Sequence, residues 1–95
     1  MKAIDGRQRV IIERVRPQVE CGRYPAKAVI GEEILISADI FADGHDRVTA
    51  NFRFKHDSED EWRAIPMKRK YQDRWEGILL IEKIGVYEFI INGWI

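Results

Sequence analysis

Apolar and polar residues alternate along most of this chain, and that two-residue period limits what it can fold into. Ile34, Ile36, Ala38 and Ile40 share one face, while Leu35, Ser37 and Asp39 share the other. Val48, Ala50, Phe52 and Phe54 repeat the pattern. Further strand-like runs cover 10–16, which is β-branched and closed by Pro17, then 62–67, 74–81 and, after Gly85, 86–95. Residues 17–28 hold Pro17, Gly22 and Pro25 without any period and read as a connecting loop anchored by Tyr24. The polar stretch 68–73 reads as a second connection. Six to seven short strands, turn signals roughly every 8–12 residues and no helical period predict an all-β fold, an immunoglobulin-like antiparallel β-sandwich. The paired blocks Trp62-Arg63-x-x-Pro66-Met67 and Asp73-Arg74-Trp75-Glu76-Gly77 suggest adjacent strands joined by a hairpin or meander.

A chain of 95 residues has room for one core, so 9–95 is assigned to a single sandwich domain and 1–8 to an N-terminal extension. Three Trp, three Tyr and four Phe supply the large side chains that a core this small needs. Sixteen basic side chains balance sixteen acidic ones, so no overall field draws nucleic acid or an anionic membrane. The balance is uneven along the chain: residues 1–30 carry seven basic and three acidic side chains, and 31–60 three and eight. That asymmetry could guide docking against another domain, but most such charges are solvated surface. The lone Cys21 excludes an internal disulfide and a multi-cysteine metal site. The N-terminus lacks the apolar core of a signal peptide, and no apolar run reaches the roughly 20 residues that span a bilayer, so a cytoplasmic location is expected. The sequence stops at Gly93-Trp94-Ile95 inside a strand-like run, which suggests a segment of a longer polypeptide.

Asp43-Gly44-His45-Asp46 is the densest chemistry in the chain. Zinc needs three or four ligands and calcium six or more oxygens, and four adjacent turn residues do not converge on one ion, so no metal is assigned. The same residues suit a tight turn, with Asp43 capping and Gly44 at positive φ, or a contact to a partner or a sugar hydroxyl. No serine or cysteine sits in a nucleophile elbow, and the carboxylates Asp57, Glu59, Asp60 and Glu61 crowd a hydrophilic hairpin tip where all are solvated. No catalytic residue and no cofactor is therefore assigned. Trp62 and Trp75, on strands read as neighbours, offer either a sugar-stacking platform or core volume. Arg23, Tyr24 and Lys27 form a cationic and aromatic loop suited to a contact surface.

Three blocks in this order resemble a known family: Val15-Arg16-Pro17 with Gly22-Arg23-Tyr24-Pro25-Ala26-Lys27 and Gly31-Glu32; Ala38-Asp39-Ile40-Phe41-Ala42-Asp43-Gly44-His45-Asp46; and Trp62-Arg63-x-x-Pro66-Met67 with Asp73-Arg74-Trp75-Glu76-Gly77. They look like the N-terminal domain of the maltosyltransferases that extend α-1,4-glucan from maltose 1-phosphate, within the α-amylase superfamily (glycoside hydrolase family 13). The resemblance covers 9–95, with Cys21 and Ala28 standing where the family has Gly and Arg. It implies an accessory β-sandwich without catalytic groups, packed on the catalytic (β/α)8 barrel of the same polypeptide and contributing to a homodimer. A different possibility, read from the aromatic residues, is a module that binds α-glucan through Trp62, Trp75 and the 43–46 loop.

Overall fold

The computed structural model describes residues 10–18, 23–26, 30–42 and 47–95. Among them are eight strands: β1 (Val10–Arg16), β2 (Arg23–Ala26), β3 (Glu33–Ala42), β4 (Thr49–His56), β5 (Arg63–Pro66), β6 (Lys68–Tyr71), β7 (Arg74–Leu80) and β8 (Gly85–Trp94). They form two four-stranded sheets, β1-β3-β7-β6 and β2-β8-β4-β5, and every pairing is antiparallel. With β1, β3, β4, β5, β6, β7 and β8 lettered A, B, C, C′, D, E and F, the sheets read A-B-E-D and C′-C-F, with β2 added beside F. A-B-E-D against C′-C-F is the strand order of the immunoglobulin-like class, and β2, which precedes B in the chain, lies beside F where that class has strand G. The sandwich expected from the alternation is therefore present.

The two alternating runs supply the inner faces. Ile36, Ala38 and Ile40 of β3 meet Ala50, Phe52 and Phe54 of β4, with Trp75 and Leu79 of β7 and Tyr87 and Phe89 of β8 closing the layer. Burying each large side chain contributes about 1.5–3 kcal/mol, so these residues carry most of the stabilisation. The sheets are tightly apposed at Gly77, where an added Cβ would lie 2.7 Å from Cε2 of Phe52.

Two connections turn out to be strands. Residues 23–26 pair with β8, Arg23 opposite Glu88 through Ala26 opposite Gly85, and 68–71 pair with β7 at the edge of the first sheet. All four residues of β6 are exposed, so no buried face imposes a period on them. Its Lys68, Arg69 and Lys70 protect the edge against foreign strands, as charged residues do on edge strands. The blocks around Trp62 and Trp75 are not neighbours within one sheet. After β5 the chain crosses to the other sheet at Met67, which is buried and donates its backbone N–H to Ala50 O at 3.0 Å.

Candidate interaction surface

A β-sandwich leaves two outer faces for contact with other molecules, and on this chain they differ in chemistry. The outer face of the second sheet carries the polar sides of β4 and β8. Arg23 of β2 reaches Asp57 Oδ2 and Glu88 Oε2, both at 3.3 Å. Lys55 lies 3.9 Å from the other oxygen of Glu88 and 5.7 Å from the centroid of the Trp62 ring, and the Arg53 guanidinium is 5.8 Å from that ring. These links put Arg23 and Trp62 on one surface through Glu88 and Lys55. Farther along, the Asn92 amide donates to Asn51 Oδ1 at 3.2 Å, with Ile90 and Trp94 exposed beside it. Exposed ion pairs of this kind are worth at most about 1 kcal/mol each, so they fix side-chain positions more than they stabilise the fold.

The other residues singled out in the sequence go elsewhere. Tyr24 is half-buried against the core opposite Tyr87. Trp75 lies in the core of the opposite sheet, 9% exposed, with Nε1–H donating to Ile40 O at 3.1 Å. It therefore forms no platform with Trp62. Lys27, Asp43, Gly44, His45 and Asp46 lie outside the described residues. His56 is a buried, satisfied histidine: Nδ1 accepts from the Ser58 backbone N–H at 3.0 Å, and Nε2–H donates to Ile84 O at 2.8 Å.

The outer face of the first sheet holds a network that sequence reasoning missed. A register shift between Glu13 and Arg16, with Arg14 at φ 51°, swings the Arg14 side chain onto β3, where Nε donates to Asp39 Oδ2 at 2.6 Å. Arg74, opposite Asp39 in the pairing of β3 with β7, donates to Asp39 Oδ1 at 3.0 Å, to Ser37 Oγ at 2.7 Å and to the Arg14 carbonyl at 2.9 Å. The hydrogen bonds from Arg14 and then Arg74 hold the Asp39 carboxyl below its usual range, while Asp39 raises the Arg14 guanidinium. Glu59 is likewise lowered, first by the His56 backbone N–H and then by Lys83 and Arg63. Both carboxylates are thus kept ionised, the opposite of what a glycosidic general acid requires. Among the described residues no group of three or more His, Cys, Asp or Glu is placed to hold a metal ion, and no helix is long and apolar enough to cross a membrane.

Residues 8–95 match the family model described as alpha-1,4-glucan:maltose-1-phosphate maltosyltransferase, domain N/S. Curated proteins carrying the name alpha-1,4-glucan:maltose-1-phosphate maltosyltransferase are similar over nearly the whole chain. The Methylacidiphilum infernorum protein is 41% identical over 92 residues, which are 97% of this chain and 14% of that protein. The Chlorobaculum tepidum protein is 37% identical over 94 residues, 99% of this chain and 14% of its own length. For the Myxococcus xanthus protein the figures are 36% over 89 residues, 90% of this chain and 13% of the relative. The chain thus spans about one-seventh of the length of these relatives.

Proposed function

The chain belongs to the domain N/S family of α-1,4-glucan:maltose-1-phosphate maltosyltransferases, and from that premise we propose that it is the accessory and assembly domain of such an enzyme. In this reading it has no catalytic groups of its own, packs on the catalytic barrel of the same polypeptide, contributes to a homodimer and works in the cytoplasm. The observation that carries the proposal is a family match over 8–95 in a chain that makes up 14% of its relatives. Assay of the chain alone for maltosyl transfer from maltose 1-phosphate to α-glucan tests it: no turnover is expected, and measurable turnover overturns it. A mixture of the chain with the remainder of its polypeptide should form a complex, and failure to associate would count against assembly.

A second reading, binding of α-glucan, draws on the exposed outer face of the second sheet. Trp62 lies there beside the Arg53 and Lys55 cations, and Trp94 is 45% exposed on the same face. Sugar rings stack on such aromatic faces. Maltooligosaccharide added to the chain would then shift the signals of Trp62 and Trp94, while Trp75 in the core stays still. A flat titration at millimolar sugar rejects this reading.

A further inference from the structure

The outer face of the first sheet changes character along its length, from the Arg14–Asp39–Arg74 network to an apolar corner. There Leu35 of β3 stands directly opposite Ile78 of β7, and Leu80 follows on the same face. These side chains are 46%, 42% and 44% exposed. A hollow of about 330 Å³ opens beside Leu35 and Ile78 and is bordered by Lys68 and Lys70 of β6 and by Glu76 of β7. Among the described residues Lys55 and Lys83 each face a carboxylate, at 3.9 and 3.4 Å, whereas Lys68 and Lys70 enter no ion pair, although Glu76 stands opposite Lys68 in register. The other outer face differs: its exposed apolar side chains are isolated, with Ile90 between Glu88 and Asn92 along β8 and opposite Arg53 of β4, and Trp94 opposite Thr49.

We propose that this corner, and not the outer face of the second sheet, is where the rest of the maltosyltransferase polypeptide sits on the domain, through an apolar patch bordered by carboxylates. The proposal rests on the reading above, that the chain is one domain of such an enzyme. Two features select the occupant. Adjacent aliphatic side chains in cross-strand register give a contiguous surface that gains by leaving water. The unpaired lysines of β6 beside that surface call for carboxylates on whatever covers it, and such charge complementarity fixes orientation more than it adds affinity.

Ile78 and Ile90 make an internal pair for the test, being the same residue type at 42% and 43% exposure on opposite outer faces. Hydroxyl-radical labelling of the full-length polypeptide should modify Ile78 at least fivefold more slowly than Ile90. In the Lys68→Glu/Lys70→Glu variant of the same polypeptide, the Ile78 rate should rise toward that of Ile90. Fast labelling of Ile78 with Ile90 protected overturns the assigned face and leaves the accessory-domain reading intact. Fast labelling of both overturns that reading as well. Equal protection of both rejects a single docking face, and an unchanged Ile78 rate in the double variant rejects the carboxylate border.

Discussion

Replacing Gly77 with alanine tests how tightly the two sheets are pressed together. Gly77 sits on the inner face of β7, and its missing Cβ would lie 2.7 Å from Cε2 and 3.2 Å from Cδ2 of Phe52, with Met67 Cγ at 3.5 Å. Phe52 is fully buried and packs against Phe54 with ring centroids 5.9 Å apart, so a shift of its ring must displace core neighbours. Forcing a methyl group into such a site costs about 1–3 kcal/mol, through displaced side chains and backbone. Set against this, alanine restricts the unfolded chain and returns about 0.4–1 kcal/mol where the backbone tolerates it. The net expectation is a loss of roughly 1–2 kcal/mol, or about 4–15 °C in Tm for a domain of this size. Thermal unfolding of wild type and variant, followed by far-ultraviolet circular dichroism, measures it. Gly77→Ala combined with Phe52→Leu should lose less than the sum of the two single variants, because the two positions share one contact. An unchanged or raised Tm for Gly77→Ala would refute the close packing of β7 on β4.

Two other substitutions probe the core and the outer network. Trp75→Phe removes the donor to Ile40 O and leaves a buried carbonyl unpaired, so urea unfolding should show a loss of about 1–3 kcal/mol; a neutral result would place the indole outside the core. For Asp39→Asn the sign follows from the lowered carboxyl. A group whose pKa falls on folding adds stability above its unfolded value, about 3.9, and that stability is lost as pH falls through the folded value. The variant should therefore be less stable than wild type near neutral pH and converge with it as pH falls through the lowered value of the Asp39 carboxyl. A stability difference that stays constant with pH would mean that Arg14 and Arg74 do not hold Asp39 ionised.

The parts of the fold legible in the sequence were those with one buried face. The alternating runs that became β3 and β4 could be read because the inner side chains must be apolar and the outer ones need not be. The strand β6 has no buried face, and β2 holds a proline and only four residues, so neither leaves a period to read. Trp62 and Trp75 misled for a topological reason. Their blocks are close in sequence, but the crossing at Met67 sends them to different sheets, and only the three-dimensional register shows it. The Arg14–Asp39–Arg74 network was hidden for the same reason, since it draws on β1, β3 and β7 and on a local irregularity at Arg14. A charged residue within an otherwise apolar strand, as Asp39 is, was the one signal that pointed there.

On the proposed reading this domain serves assembly and not chemistry. Sedimentation velocity of the full-length polypeptide, with and without residues 1–95, tests it most directly. A dimer is expected for the intact polypeptide, with a shift toward monomer when the domain is removed. A dimer that persists undiminished without the domain would contradict it.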